Sequence, residues 1–438
     1  MKTKVILLMA VGVLSGACAK DKTALRYEFN TETGNYFSCP DVSFAVISDT
    51  HIYDSALGSS GAAFEKALLS DRKLLLDSVN LLDYAIEDIA ASGVRFVLIS
   101  GDLTKDGELI NHRIAAQRLK RLTDANVAVY VVPGNHDINN HEAIRYAGDK
   151  TQPVATVSAA EFSQIYGDFG FNAALMRDED SLSDVAEPAE GLWLLALDAC
   201  RYRENAPDKK EIVSGKISQK TADWIASALQ AAMSGNKTVM VMMHHGVIEH
   251  WNGQAKLHPD YLIEDYTAFG KFLASWNVRL AFTGHYHAQD ITRGEFNGRT
   301  LHDVQTGSLV TAPCPIRYVT IEDNVVHIRT DNIVGNIHPG TDFAGNARAF
   351  VKKTVMLEAA SVLKKYKVSA RDTDYIAGAV GDAFAAHYEG DENPALRPPF
   401  DKSVLGLWGR FIYGQQQYVI DGLWADLPPA DNNVSFRL

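Results

Sequence analysis

Val129-Tyr130-Val131-Val132-Pro133-Gly134-Asn135-His136-Asp137 is an apolar, β-rich run that breaks into a turn carrying an amide, an imidazole and a carboxylate. Such a run reads as a buried strand that delivers polar groups at its C-terminal edge. Open α/β sheets place their chemistry at that edge. Four more runs end the same way. Phe44-Ala45-Val46-Ile47-Ser48 delivers Asp49-Thr50-His51, and Phe96-Val97-Leu98-Ile99-Ser100 delivers Gly101-Asp102. Val239-Met240-Val241-Met242-Met243 delivers His244-His245, and Leu280-Ala281-Phe282-Thr283 delivers Gly284-His285-Tyr286-His287. One polar strand end is usually a cap or a turn. Five of them, each tipped with metal-ligand residue types, point to one polynuclear site.

Asp49 and His51 are two residues apart, a spacing at which both can reach one cation. Asp102 is a carboxylate, the side chain best able to bridge two. Asn135 offers a neutral carbonyl oxygen, and His244, His285 and His287 offer imidazoles. The inventory divides into Asp49, His51, Asp102 and His287 on one side and Asp102, Asn135, His244 and His285 on the other. Mixed nitrogen and oxygen donors suit Mn, Fe or Zn better than Ca or Mg. Two such cations, about 3.5–4 Å apart, stabilise the attacking and leaving oxygens of an in-line phosphoryl displacement. They would also acidify a bridging water from about 15.7 toward about 7. His136 adjoins a ligand without being one, and is free to protonate the leaving oxygen. His245 could be a substrate-binding or supporting group, or could simply fill a pocket. Tyr286 could stack on a base or pack in the core.

The chain has 438 residues, 46% hydrophobic and 22% charged, which is ordinary for a soluble globular protein of two or three domains. Its net charge is −12 and no Lys/Arg-rich run stands out, which disfavours a nucleic-acid polymer as partner. Lys2 and Lys4 precede the short apolar run Val5 to Leu14 and then Ser15-Gly16-Ala17-Cys18, the layout of a secretory signal rather than a membrane span. Cys18 after small residues resembles a bacterial lipoprotein cleavage site; a plain signal cleaved near Ala17 or Ala19 is the alternative. The expectation is export across the inner membrane to the periplasm or cell surface, with a lipid anchor at Cys18 as the only membrane contact. Cys18, Cys39, Cys200 and Cys314 form no disulfide or zinc pattern and read as buried small residues.

Four segments follow: 1–18 as signal, 19–40 as linker, 41–335 as an α/β catalytic domain and 336–438 as a small all-α domain. Helices are expected over Phe64–Ala91, Glu108–Ala125, Thr221–Met233 and Pro259–Trp276, with closing strands at Arg299–Gly307 and Arg317–Arg329. Val351, Val355, Ala359, Val362 and Tyr366 share one helical face; a last helix is expected around Leu405–Tyr418.

Asp49-Thr50-His51, Gly101-Asp102, Gly134-Asn135-His136-Asp137, His244 and Gly284-His285-Tyr286-His287 resemble, in order, the motifs of the calcineurin-like metallophosphoesterase family. The resemblance spans about 41 to 290 and implies a two-sheet β-sandwich flanked by helices, with the ligand roles given above. Gly101-Asp102-Leu103-Thr104-Lys105-Asp106-Gly107-Glu108 and the Asn139-Asn140 pair resemble secreted bacterial cyclic-nucleotide phosphodiesterases, which also carry a helical C-terminal domain. That likeness implies a small phosphodiester substrate; a phosphomonoesterase on the same centre, or a metal-bound scaffold without turnover, are the rivals. Lys105 stands where purple acid phosphatases have a metal-binding Tyr, and no Asp-Arg-Gly follows Asp102 as in protein Ser/Thr phosphatases. Gly246 rather than Pro follows the histidine pair, which leaves either His244 or His245 as the ligand; position in the motif favours His244.

Overall fold

The computed structural model describes residues 25–31, 38–207 and 209–438. The expected signal segment 1–18 with Cys18, and most of the expected linker, lie outside the described residues. Val42–Ile47 shows how the sequence builds the fold. Phe44 and Val46 enter one buried cluster, and the alternate Ala45 and Ile47 enter another. The strand is therefore apolar on both faces, as a strand covered on both sides must be.

Two sheets face one another. The first has the order Asn433–Arg437, Val325–Asn332, Pro315–Glu322, Val42–Ile47, Phe96–Ile99, Ala128–Val131, with the last three parallel. The second runs Asp290–Phe296, Arg299–Gln305, Leu280–Thr283, Thr238–Met243, Leu192–Leu197, Asp184–Ala189, Met176–Arg177. Its four central strands are parallel. Phe44, Phe96 and Leu98 from the first sheet meet Leu194, Met240, Met242 and Phe282 from the second in one dry layer. Ser78–Ala91 and Leu109–Asp124 cover the outer face of the first sheet, and Gln219–Ser234 and Tyr266–Ser275 that of the second. This is the expected two-sheet sandwich flanked by helices.

Three helices, Phe343–Lys365, Ala370–Glu389 and Leu407–Leu423, form the expected C-terminal helical part and join the cluster outside the first sheet. The chain then returns, and Asn433–Arg437 pairs antiparallel with Val325–Asn332 at the sheet's edge. No helix among the described residues is long and apolar enough to cross a membrane. Tyr27, within the expected linker, stacks on Phe272 at 5.0 Å, and the Glu28 carbonyl accepts from Trp276 Nε1.

Local departures have local causes. The helix expected over Phe64–Ala91 is split into Ala62–Leu69 and Ser78–Ala91. Between them the Leu74 amide donates to the Val310 carbonyl, and Asp71 and Lys73 turn inward as a buried pair. The helix expected from Pro259 starts only at Tyr266, because Leu262 and Ile263 make β-bridges to Gly246 and Gly215 and Asp265 takes φ 58°. Arg317–Arg329 is not one strand but the hairpin Pro315–Glu322/Val325–Asn332. Cys39, Cys200 and Cys314 are all free thiols.

Phe44 lies at the centre of the dry layer, stacked on Phe96 at 4.8 Å and edge-on to Phe282 at 5.3 Å. Phe44→Ala leaves a cavity that two rigid sheets cannot close. The expected loss is about 3–5 kcal/mol of stability, read as a lowered urea midpoint with unchanged slope.

Candidate dinuclear metal centre

All five polar strand ends converge where the parallel strands of the two sheets finish. The junction is tied by Ser100 Oγ, which donates to Ser48 Oγ at 2.9 Å and lies 3.2 Å from the Thr283 carbonyl of the other sheet. Asp49, His51, Asp102, His285 and His287 all have positive φ, between 37° and 72°. Non-glycine residues in that region carry strain of order 1–3 kcal/mol each and gather at functional sites. Asp49 and His51 thus do not share a regular strand face. Each amide is instead bonded to the neighbouring loop, Asp49 N to Gly101 O and His51 N to Asp102 O, both at 3.0 Å.

Asp49, His51, Asp102 and His287 bring one ligand atom each to within 4.8 Å of one another, and so do Asp102, His244 and His285. Asp102 belongs to both groups. Its Oδ2 lies 3.3 Å from His244 Nε2 and 3.7 Å from His51 Nε2. Asn135 Oδ1 joins the second group, 3.2 Å from His244 Nε2. His244 is the histidine of the pair that reaches Asp102. His245 turns Nε2 to the Val213 carbonyl at 2.9 Å and packs its ring on His285 at 4.5 Å, a supporting position. Tyr286 is buried among Tyr261, His258 and His387, so it packs rather than stacking on a base.

The other atoms of each ligand are already committed, which fixes the atom left for a metal. His244 Nδ1 donates to Ser100 O at 2.8 Å and His51 Nδ1 to Thr104 O at 3.2 Å. His285 Nε2 points at the Asp260 carbonyl, 3.3 Å away, leaving Nδ1. Asp49 Oδ2 accepts from Ser48 Oγ and from the His285 amide, while its buried Oδ1 has no hydrogen-bond partner among the described residues. His51 Nε2 and His287 Nε2 face each other at 3.2 Å. An orphaned carboxylate oxygen beside two converging ring nitrogens is the environment a cation satisfies and a dry interior does not. The residues fit a pair of transition-metal ions.

Two glycines admit this approach. A Cβ on Gly134 would stand 2.0 Å from Asp102 Oδ1, and one on Gly284 would stand 2.0 Å from Ser48 Oγ and 2.6 Å from Asp49 Oδ2. Asp137 ties the loops together by accepting from the amides of Leu103, Thr104 and Gly134.

Electrostatics separate the imidazoles. Burial, then the Lys73 ammonium, push His51 well below the ordinary histidine value. Burial and His244 do the same to His285. For His244 burial is outweighed by Asp102, which raises the pKa to about 9. His136 likewise reaches about 9, burial being outweighed by Asp102, Glu211 and a 2.9 Å hydrogen bond to Asp106 Oδ1. Lys73 is a site residue that the sequence reading passes over. It lies outside every motif, yet its ammonium is fully buried, 3.5 Å from Asp71 Oδ2, and acts on His51, His136 and Asp106. Lys105, the motif cation, is paired with Asp106.

The model of the calcineurin-like phosphoesterase family matches residues 42–289, which span every ligand named here. No curated protein matches this sequence. Among solved structures, a dimetal phosphatase from Danio rerio aligns at 17% identity and TM-score 0.47, over 66% of this chain and 95% of that one. The purple acid phosphatase PPD1 from yellow lupin (Lupinus luteus) seeds aligns at 12% identity and TM-score 0.40, over 67% of this chain and 52% of that one.

Metal uptake must displace the proton that Asp102 holds on His244. Below about pH 9 affinity should therefore fall as pH falls, and metal addition to unbuffered protein at pH 7.5 should release a measurable proton. Affinity unchanged between pH 6 and 8 would contradict this. Gly134→Ala should lose metal content, since its Cβ would stand 2.0 Å from the Asp102 carboxylate and 2.3 Å from the Asp102 backbone nitrogen and must shift that loop; full occupancy by elemental analysis would contradict it.

Proposed function

The chain belongs to the calcineurin-like phosphoesterase family, and on that premise we propose that it hydrolyses small phosphodiesters, cyclic nucleotides among them. The family and the paired ligand groups make it a metal-dependent phosphoester hydrolase. The observation that carries the reading is Asp102, one carboxylate shared by both ligand groups. Asp49, His51, Asp102 and His287 would hold one ion, and Asp102, Asn135, His244 and His285 the other. Such ions supply Lewis-acid polarisation of the phosphoryl oxygens and lower the pKa of water.

The chain's own groups do the rest. His136 Nδ1 is fixed by Asp106 Oδ1, and Asp106 is held in turn by the Lys105 ammonium. His136 Nε2 is thereby turned into the site, 3.8 Å from Asp102 Oδ2, where a proton can pass to the leaving oxygen. The ring stands edge-on to His51 at 5.2 Å, a contact that fixes its plane. Lys105, the cation inside the motif loops, is already engaged by Asp106. A diester, with one negative charge, suits such a site better than a monoester. The buried ammonium of Lys73 is the observation that favours the second reading, a phosphomonoesterase on the same centre.

His136→Ala should retain metals and lose about 10²–10⁴ in rate on poor leaving groups, with a smaller loss on an activated aryl ester. An equal loss on both would remove it as the proton donor. Paired diester and monoester substrates with one leaving group decide the class. The expected result is higher kcat/KM for the diester at neutral pH. A tenfold preference for the monoester, about 1.4 kcal/mol in the other direction, would select the phosphatase reading.

A further inference from the structure

A second convergence of ligand atoms lies away from the Asp102 centre, in the seam between the second sheet and the C-terminal helices. Asp290 opens the edge strand Asp290–Phe296, His387 sits in the last turn of Ala370–Glu389, and Glu392 follows the turn at Gly390. Each of the three offers one ligand atom within 4.8 Å of the others. His387 Nδ1 contacts a Glu392 oxygen and lies 3.8 Å from Asp290 Oδ2, and all three side chains are about 1% exposed.

Buried carboxyl groups outnumber the cationic groups around them, and His250 Nδ1 already holds Asp290 Oδ1 at 2.6 Å. Asp290, Asp303, Glu392 and Asp431 are buried together, with His250, Arg317 and His387 as the nearby groups able to carry positive charge. Arg317 directs its guanidinium to the carbonyls of Asp431, Asp290 and Gln305, not to a carboxylate. Burial and then Asp290 raise Asp431 to about 10, and burial raises Glu392. An ion pair between His387 and Glu392 alone would leave Glu392 Oε2 and His387 Nε2 buried without a hydrogen-bond partner among the described residues. A buried carboxyl oxygen without a partner, next to Asp290, must either hold a proton or meet a cation.

We propose that Asp290, His387 and Glu392 hold a divalent transition-metal cation, separate from the dinuclear centre, that pins the C-terminal helices to the second sheet. One imidazole and two carboxylates suit zinc or manganese. The inference does not depend on the phosphodiesterase reading. The site lies behind Tyr286, whose ring is 5.7 Å from that of His387, so the ion braces the loop that carries His285 and His287.

The test is metal stoichiometry on the full chain with the dinuclear centre disabled. Asp49→Asn/Asp102→Asn protein, loaded with zinc and desalted, should retain about one zinc per chain, and adding Glu392→Gln should take that to none. No zinc on the double variant, or an unchanged count after Glu392→Gln, overturns the proposal. Anomalous diffraction from zinc-loaded wild-type crystals needs no substitution: a peak at bonding distance from His387 supports the site, and its absence overturns it.

Discussion

Asp102 is a buried carboxylate surrounded by imidazoles, and most of the structure follows from the need to keep it there. Burial alone would drive it to protonate, but His244 and His136 outweigh burial and hold its pKa well below the ordinary carboxylate range. The balance works only if the imidazoles arrive from separate directions, because adjacent residues on one strand cannot surround an atom. Two sheets supply those directions. The first delivers Asp49, His51, Asp102 and Asn135, and the second delivers His244, His285 and His287.

That division explains why the dry layer between the sheets matters to the chemistry. Phe44, Phe96, Met242 and Phe282 lie two to six residues before the ligands on the same chain segments and pack together between the two sheets. Close packing makes the spacing of the sheets stiff. The strained loops are its counterpart. Five ligands sit at positive φ because the surrounding hydrogen bonds over-determine them, and the Asp137 carboxylate with its three amide donors is the clearest such constraint.

Much of this was legible in the sequence because strand ends carry a two-part signal, an apolar run and then an abrupt polar turn. The α/β layering and the set of polar strand ends came from that signal; the two-sheet sandwich and the preference for His244 over His245 came from the motif resemblance to the family. What was not legible depended on contacts distant in sequence. Helical periodicity ran through Asp71 and Lys73, and nothing local announced that the Val310 carbonyl would capture the Leu74 amide and break the helix. Lys73 was missed for the same reason. Tyr286 sat in a metal motif and looked like a candidate for substrate, but its environment is built by Tyr261, His258 and His387, the last more than a hundred residues away.

The C-terminal helices therefore help to build the site instead of merely adjoining it. Arg72 pairs with Glu358 of Phe343–Lys365, which anchors the segment that presents Lys73. On the other side Tyr261 lies against His285 at 4.5 Å and against Tyr286 at 5.0 Å, and Tyr286 rests on His387 and Tyr388 of Ala370–Glu389. Both Lys73, whose ammonium acts on the candidate ligand His51 and on the neighbouring His136, and the loop that carries His285 and His287, are thus backed by the same helical pair. A shift of those helices would move a positive charge and two ligands together. The charge around the paired ligand groups is consequently set by packing between the sandwich and the helices as well as by the motifs at the strand ends.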